Sequence, residues 1–330
     1  MSDKNFFIPG GIEYFMPDEA EEFEILKSKA LRIFKKSHYQ YVIPPIIDNL
    51  PNLLSLNSQD LDQQTLTFVD QMTGKKIGMR ADITPQIAKI DQHLSGGGIS
   101  RFAYMGDIIR TTENQFDRRN PYQVGCELFG CSNKNHDLEV ISQMIEIVKL
   151  SKEKLLVLEL CDLSIINDII CSLNLYSDEV NKLISLINLK STNEIKSYLK
   201  YKNISGKKIN LIIDLVLLTG SFEIVSEIKK LLAVNRIKIN SKLPELSFLA
   251  KKLTSSDKNL VVNIDMTNLS NLDYQSSLSF SLYVTNFRKS IANGGRYNAY
   301  NSGATQRLAS GFSLDLKDIY FLRKNGDKHV

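Results

Sequence analysis

Apolar residues that recur three and four positions apart predict an amphipathic helix near the start of the chain. The helix is expected to begin at Asp18, directly after Pro17, because aspartate is a favourable residue at a helix N-terminus. Lysines gather where the helix would end, before Ser37, as the helix dipole favours. Its buried side would be formed by Phe23, Leu26, Ala30 and Ile33.

Short alternating patterns predict strands over the next part of the chain. The segment YQYVIPPII is typical of a strand that two prolines cut short, and TLTFVD, DQMTG and KKIGMR predict a hairpin. Thr84 followed by Pro85 predicts a helix start with Thr84 as the N-cap residue. ISRFAYMGDIIRTT and NPYQVGCELFG predict two longer strands, and the polar loop between them favours an antiparallel pair.

The pattern changes after about Cys161, where residues 163–256 contain one predicted helix after another and no convincing strand. Strand patterns return in NLVVNID and LSFSLYVTNF, and SGFSLDLKDIYFL is predicted to form a closing helix. We therefore expect an α+β fold whose sheet is interrupted by a helical insertion. The core domain would comprise residues 1–162 and 257–330, and the insertion would comprise residues 163–256.

Composition narrows the class of protein without identifying it. The chain has 330 residues, of which 43% are hydrophobic and 24% are charged, as is ordinary for a globular protein. Its formal net charge of +4 is too small to indicate a nucleic-acid surface by itself. The first residues lack the long apolar run of a secretory signal, so we expect a cytoplasmic protein.

The cysteines and histidines do not form the patterns of a metal site. No CxxC motif is present, and we expect free thiols that are buried or half-buried in a reducing compartment. No two histidines are paired at helical spacing, so no metal and no cofactor are expected. The residues concerned are Cys126, Cys131, Cys161, Cys171, His38, His93, His136 and His329.

Three polar residues mark the junction between a predicted strand and a predicted helix, namely Arg80, Asp82 and Thr84. One interpretation is structural: Thr84 caps the helix, and Asp82 lies near the positive end of the helix dipole. The other interpretation is that the carboxylate and the hydroxyl face a ligand.

A second polar group lies on the two longer strands. Gln123 and Glu127 are four positions apart, so a strand points both side chains to the same face, and Arg110 ends the preceding strand. Such groups are costly in an apolar sheet unless they meet partners. An ion pair between Arg110 and Glu127 is one explanation, and a ligand site is the other.

Two more segments carry polar residues near the end of the chain. Asp273 and Tyr274 are compatible with an ordinary turn after a strand. The glycines of Gly294–Tyr297 would let the backbone approach a ligand, but GGRY matches neither GxGxxG nor GxxxxGK[ST]. Together the polar groups suggest a small ligand that carries both a cation and an anion, such as an amino acid.

The order of these motifs resembles the catalytic domain of histidyl-tRNA synthetase and, more closely, a paralogous family, the regulatory subunits of ATP phosphoribosyltransferase. The resemblance covers about residues 8–161 and 259–320. It implies a class II aminoacyl-tRNA synthetase-like fold, an antiparallel sheet flanked by helices, and self-association as a homodimer. It is carried by MRADITPQIAKIDQH, Arg110, YQVGCELFG, LDY, NGGRY and GFSLDL.

Several positions depart from the synthetase pattern. Thr112 stands where that pattern has a glutamate, and Ser270 and Asn271 replace an arginine before LDY. Gln275 replaces a second tyrosine, and Asp318 stands at the position of an ATP-binding arginine. Because amino-acid activation needs cations against the charge that develops on phosphate, these changes argue against synthetase activity.

The resemblance therefore implies a noncatalytic regulatory subunit. It would form a hetero-oligomer with the catalytic ATP phosphoribosyltransferase subunit in the first step of histidine biosynthesis and would relay feedback by L-histidine. No tRNA partner is expected, since no anticodon-binding domain follows. The histidine-binding residues that the resemblance implies are Asp82, Thr84, Arg110, Gln123, Glu127, Tyr274 and Tyr297.

Two alternatives remain beside this hypothesis. The first is a truncated histidyl-tRNA synthetase, which histidine-dependent exchange between ATP and pyrophosphate would reveal. The second is a stand-alone histidine-binding protein or an RNA-binding relic. The absence of a strong basic stripe in the sequence argues against RNA.

Overall fold

The computed structural model describes residues 9–56, 59–94, 96–111, 118–130, 133–237, 243–269, 275–285, 287–302 and 305–326. The elements up to residue 148 are α1 (Pro17–Lys36), β1 (Gln40–Val42), β2 (Ile47–Asn49), α2 (Leu50–Leu53), α3 (Gln59–Gln64), β3 (Leu66–Val69), β4 (Lys76–Met79), α4 (Thr84–Leu94), β5 (Ser100–Asp107), β6 (Tyr122–Phe129) and α5 (Lys134–Val148). The later elements are β7 (Leu156–Asp162), α6 (Leu163–Cys171), α7 (Ser177–Asn188), α8 (Thr192–Tyr201), α9 (Gly206–Leu217), β8 (Thr219–Gly220), α10 (Val225–Val234), α11 (Leu243–Ser256), β9 (Leu260–Asp265), β10 (Gln275–Val284), β11 (Ala292–Ser302), β12 (Thr305–Asp315) and α12 (Leu316–Gly326).

The chain forms two compact units. The first comprises residues 1–131, 139–153 and 298–330, and the second comprises residues 132–138 and 154–297. The division into a core domain and an insertion at residues 163–256 stays a prediction.

The main sheet of the first unit is largely antiparallel. Strands β1, β5, β6 and β12 pair in that order, and only β1 runs parallel to its neighbour in this group. The predicted antiparallel pair β5–β6 is confirmed, with Tyr104 opposite Gly125. On the other side of β6, Gly311 of β12 lies opposite Glu127.

The N-terminal helix is confirmed in nearly the predicted position. Helix α1 begins at Pro17 and packs against β1 and α12. Ile33 is only half-buried, and Phe34 takes the place expected for it. The side chains that α1 buries are Phe23, Leu26, Ala30 and Phe34.

A small three-stranded sheet contains the predicted hairpin. Strand β4 lies between β2 and β3 and is antiparallel to both. One face packs on α2, because a Cβ added at Gly78 would lie 2.9 Å from Leu50. The opposite face carries no charged side chain. It is formed by five apolar residues, Ile47, Leu66, Phe68, Ile77 and Met79, and by the polar Asn49.

The predicted closing helix is wrong over its first half. Residues 305–315 form strand β12, and helix α12 begins only at Leu316. The strand alternates only over its last residues, Phe312–Asp315; before them Ser310 and Gly311 are both buried, so both faces of the strand are covered there. Periodicity alone cannot separate such a strand from a buried helix.

The second unit has its own set of paired strands. In order these are β11, β10, β7, β9 and β8, and β7 pairs with β9 in parallel while the other described pairs are antiparallel. Strand β11 begins in this unit and ends in the first. The two glycines of GGRY therefore lie within a strand, where Gly295 is paired with Ser279.

The helical character of residues 163–256 is confirmed. In their described part, helices α6 to α11 follow one another, and a 3₁₀ turn covers Phe222–Ile224. The two-residue strand β8 also lies there, which sequence patterns did not predict. In the part of the chain that the structure describes, no helix is both long and apolar enough to cross a membrane.

The expectation of buried thiols holds for two of the cysteines. Cys126 and Cys161 are free and buried, whereas Cys171 is free but exposed, so the expectation is wrong for Cys171. Cys131 lies outside the described residues.

In the first unit, three glycines in strands provide the space that polar side chains occupy. A Cβ atom added at any of them would come closer than 3.0 Å to such a side chain, which real Cβ atoms essentially never show. Their backbone angles are ordinary, so it is space and not conformation that requires glycine. The pairs are Gly106 with Arg80, Gly125 with Tyr104, and Gly311 with Glu127.

We predict that Gly311→Ala lowers the free energy of unfolding by about 1–3 kcal/mol, because overpacking forces neighbouring groups to move. Gly206→Ala is the matched control, since a Cβ at Gly206 meets nothing within 4 Å. The control should be neutral or slightly stabilising, by less than about 1 kcal/mol. Urea unfolding measures both changes.

The same pair of residues provides a stricter test. Adding Glu127→Ser to Gly311→Ala removes the carboxylate that the new methyl group would meet. The double variant should therefore be more stable than the sum of the single changes predicts. Strict additivity, or equal unfolding midpoints for Gly311→Ala and Gly206→Ala, would contradict the packing argument.

Candidate functional site

The junction between β4 and α4 is held by the side chain of Asp82. Its Oδ1 accepts a hydrogen bond from the backbone N–H of Thr84 at 2.9 Å. Thr84 is the first residue of α4, so the predicted N-cap role of Thr84 is corrected: the capping acceptor is Asp82. Asp82 is half-buried, whereas Thr84 is buried.

Gln123 connects this junction to strand β6. Its Nε2 donates to Asp82 Oδ1 at 2.9 Å, and its Oε1 accepts from the backbone N–H of Ile83 at 2.8 Å. Because the amide both donates and accepts, its orientation is fixed. Sequence spacing placed Gln123 and Glu127 on one strand face, and the structure adds that Gln123 meets Asp82.

Glu127 is a buried carboxylate, only 2% exposed. Its Oε1 lies 3.3 Å from Thr84 Oγ1 and 3.2 Å from Tyr104 Oη, and both hydroxyls donate to it. These bonds offset part of the cost of taking a carboxylate out of water. We call the group formed by Asp82, Thr84, Tyr104, Gln123 and Glu127 the Glu127 cluster.

Tyr104 is a member of this cluster that the sequence analysis missed. Burial, and then the charges of Glu127 and Asp82, raise the pKa of Tyr104 well above its ordinary value, so its hydroxyl keeps its proton and can donate. The residue lies within an apolar strand pattern, where a tyrosine is normally read as core. The only signal was Gly125 on the next strand, which makes room for the ring.

The two arginines near the junction contact backbone carbonyl groups. Arg110 is half-buried, and its Nε donates to Ala81 O at 3.0 Å, so its side chain lies beside the start of the Asp82 turn. Arg80 donates to Asp107 O and to Pro44 O at 2.8 and 2.7 Å. Arg80 thus joins the end of β5 to the segment between β1 and β2.

One of the two tyrosines of the predicted site lies within the described residues. Tyr297 lies in the second unit, where it is 2% exposed and is paired with Gln275 across β10 and β11. Tyr274 lies outside the described residues, as do Thr112, Ser270 and Asn271. The assignment of Tyr274 and Tyr297 to histidine stays a prediction.

A second polar group in the first unit surrounds Arg118. Its Nε lies 2.5 Å from Glu13 Oε2, its Nη1 lies 2.8 Å from Asp318 Oδ1, and Nη1 also contacts Asp315. We call these four residues the Arg118 cluster. Asp318 stands at the position where the synthetase pattern has an ATP-binding arginine. Here Asp318 pairs instead with an arginine of its own chain.

The electrostatics of the Arg118 cluster oppose a bound phosphate. Three carboxylates surround one guanidinium, so no positive charge is left over in the cluster itself. Burial and the charge of Asp318 raise the pKa of Asp315, although Arg118 acts against them. Burial alone would lower the pKa of Arg118, but Asp315, Glu13 and Asp318 together raise it, so the guanidinium stays charged.

The two clusters differ in what they can bind. The Glu127 cluster offers two carboxylates and hydroxyl groups, which suit an ammonium group or a hydrogen-bond donor. In the described residues, no partner is seen for Asp82 Oδ2, because both hydrogen bonds of this carboxylate go to Oδ1. The Arg118 cluster has already paired the cation that a phosphate would need.

Comparison with known proteins shows which family the chain belongs to. The family profile of histidyl-tRNA synthetase matches residues 11–319. The ATP phosphoribosyltransferase regulatory subunit of Methylococcus capsulatus is 31% identical over 332 residues, which cover 100% of this chain and 82% of the relative.

Two solved structures share the fold. The ATP phosphoribosyltransferase regulatory subunit/histidyl-tRNA synthetase from Bacillus halodurans C is similar with a TM-score of 0.79 at 19% identity, over 96% of this chain and 83% of that chain. A chain of the ATP phosphoribosyl transferase complex from Thermotoga maritima is similar with a TM-score of 0.69 at 19% identity, over 89% and 97% of the two chains. The predicted class II aminoacyl-tRNA synthetase-like fold is thereby confirmed. Because the synthetase profile matches almost the whole chain and a named relative is 31% identical along all of it, the chain belongs to the family of ATP phosphoribosyltransferase regulatory subunits, within the wider histidyl-tRNA synthetase family.

Proposed function

We propose that this chain is the noncatalytic regulatory subunit of an ATP phosphoribosyltransferase. It assembles with the catalytic subunit that joins ATP to phosphoribosyl pyrophosphate in the first step of histidine biosynthesis, and it relays inhibition by histidine. One observation carries the proposal: the Glu127 cluster is retained, whereas Asp318 and its acidic neighbours stand where a synthetase needs cations. The names of its relatives support the choice of partner.

The lack of synthetase activity follows from charge. An adenylate-forming site must stabilise negative charge that builds up on phosphate, and each missing donor costs about 3–4 kcal/mol in comparable sites. Asp318 adds a negative charge at the position of a cation, and Arg118 is bound to three carboxylates. We therefore propose that the chain neither forms an adenylate nor charges tRNA.

The proposed histidine site uses the Glu127 cluster. Asp82 and Glu127 supply negative charge for the ammonium group and the imidazole, and Thr84 and Gln123 hold these carboxylates in place. Arg110, beside the Asp82 turn, supplies a cation for the ligand's carboxylate. Tyr274 and Tyr297 complete the proposed set.

The exposed face of the small sheet supports the proposed homodimer. Its five apolar side chains are Ile47, Leu66, Phe68, Ile77 and Met79, and the face carries no charged residue. A two-fold interface brings one surface against its own copy, so a charge-free apolar face meets no like charge there. We also propose a cytoplasmic location, in agreement with the free buried thiols of Cys126 and Cys161.

The proposed function predicts that transferase activity depends on this chain. Co-expressed with the catalytic subunit of the same organism, the two chains should co-elute, and the complex should be inhibited by histidine at least about fivefold more sensitively than the catalytic subunit alone. Equal activity and equal sensitivity without this chain would refute the proposal. Histidine-dependent ATP–pyrophosphate exchange by this chain alone would favour the truncated synthetase instead.

We predict that Glu127→Gln weakens histidine binding by about tenfold or more, because a hydrogen bond or ion pair to a charged group contributes about 1.5–3 kcal/mol. The change keeps the shape of the side chain and removes only its charge. Glu139→Gln is the control, since Glu139 pairs with Arg101 at a partly exposed place in the same unit. Calorimetry on the purified chain measures both, and unchanged binding in Glu127→Gln would place the histidine site elsewhere.

We predict that Phe68→Asp converts the dimer into monomers, because the variant places two charges against each other in an apolar interface. Phe68 is 38% exposed in this chain, so the monomer should stay folded. Val261→Asp, at a strand position that is 43% exposed in the second unit, is the control and should stay dimeric. Sedimentation equilibrium distinguishes the two results, and a Phe68→Asp dimer would exclude this face.

A further inference from the structure

Arg296, in strand β11, contacts the first turns of two helices, and both of these turns lie in the second unit. Its Nε lies 2.9 Å from Asp137 Oδ1 and 3.0 Å from Oδ2, and its Nη2 also contacts Asp137. The same Nη2 lies 2.5 Å from Glu245 Oε2. Asp137 belongs to the first turn of α5 and Glu245 to that of α11, so one guanidinium holds two helix N-termini beside the strand.

The two carboxylates hold Arg296 unequally. Asp137 has no exposed side-chain surface and meets two guanidinium nitrogens, whereas Glu245 keeps 32% of its side chain exposed and meets one. A fully buried carboxylate that left its arginine would be unpaired and away from water, but a partly exposed one can be hydrated again. The contact with α11 is therefore the one that can open and close.

The rest of the guanidinium adds no further anchor. Nη1 of Arg296 is buried and has no hydrogen-bond partner in the described part of the chain. The position of the arginine is thus set by Nε and Nη2, which means by Asp137 and Glu245. When Glu245 moves with α11, the side chain of Arg296 is left with a single partner.

Arg296 is the neighbour of Tyr297, the tyrosine that the resemblance assigns to histidine. Consecutive residues of a strand point to opposite faces, so the two side chains lie on the two sides of β11. Both are 2% exposed. In so close a packing, a shift of the backbone at Arg296 also moves the ring of Tyr297.

Helix α11 connects this contact to the other helices of residues 163–256. It packs against β7 and β9, and it also contacts α10 and the 3₁₀ turn that precedes α10. Its apolar side, which includes Leu246, Leu249 and Leu253, is buried. A change in the position of those helices therefore reaches Arg296 through Glu245.

We infer that Arg296 is a positioning residue that couples the helices of residues 163–256 to Tyr297 through its contact with Glu245. The inference rests on the proposed function, because it takes Tyr297 to contact histidine. Coupling free energies are reciprocal, so bound histidine favours the closed Arg296–Glu245 contact and loss of the contact weakens histidine binding. This gives the helical segment a role: its position sets the affinity for the inhibitor.

The test is Glu245→Gln in the assembled transferase, with Glu227→Gln as the control. Glu227 occupies the first turn of α10, is exposed, and undergoes the same loss of charge. Glu245→Gln should raise the concentration of histidine needed for half inhibition by about fivefold or more. Activity without histidine and the thermal unfolding midpoint should equal those of the control. A merely structural role of Glu245 would instead change these two quantities.

Arg296→Lys provides a second variant. It keeps the positive charge, but a single ammonium group cannot hold both carboxylates in the fork geometry of a guanidinium, so histidine sensitivity should fall in the same direction. If the unmodified complex responds to histidine and both variants keep that response within twofold, the inference is wrong and the proposed function stands. If the unmodified complex ignores histidine, both fail.

Discussion

The burial of one carboxylate, that of Glu127, constrains much of the first unit. A carboxylate inside a sheet is stable only when hydrogen-bond donors reach it, and here Tyr104 and Thr84 do so. The carboxylate also needs space, which Gly311 provides on one neighbouring strand, as Gly125 does for the ring of Tyr104. The identity of one charged residue therefore limits the choice at four further positions on three strands and one helix.

The two polar clusters of this unit differ in how their charges are paired. In the Glu127 cluster, neighbours orient both carboxylates: Gln123 donates to Asp82, and Thr84 and Tyr104 donate to Glu127. The Arg118 cluster binds its cation internally, through Glu13, Asp315 and Asp318. A fold that activates amino acids needs both an ammonium site and a phosphate site, and the proposed regulatory function needs only the first.

Local patterns in the sequence were enough to predict α1, the hairpin, the β5–β6 pair and the helices after Cys161, because each depends on residues close in the chain. They failed at β12, where the alternation covers only the last few residues and leads directly into helix α12. They also misplaced the cap of α4 by two residues, since Asp82 and Thr84 are both good capping types. The partners of Arg118 and Arg296 were beyond sequence reasoning, because Asp318 and Asp137 lie 200 and 159 positions away.

Regulation requires an element with two arrangements of similar free energy, and an ion pair that is buried on both sides cannot supply one. Asp91 has no exposed side-chain surface and is held by both Arg307 and Tyr300, so opening that contact would leave charges unpaired in the interior. Glu245 differs because water already reaches it, which makes the open state accessible at a modest cost. The contacts of Arg296 thus combine a fixed side, at Asp137, with a releasable side, at Glu245. Because of this combination, a change in the position of helix α11 can affect strand β11 without disturbing the buried core around Arg296.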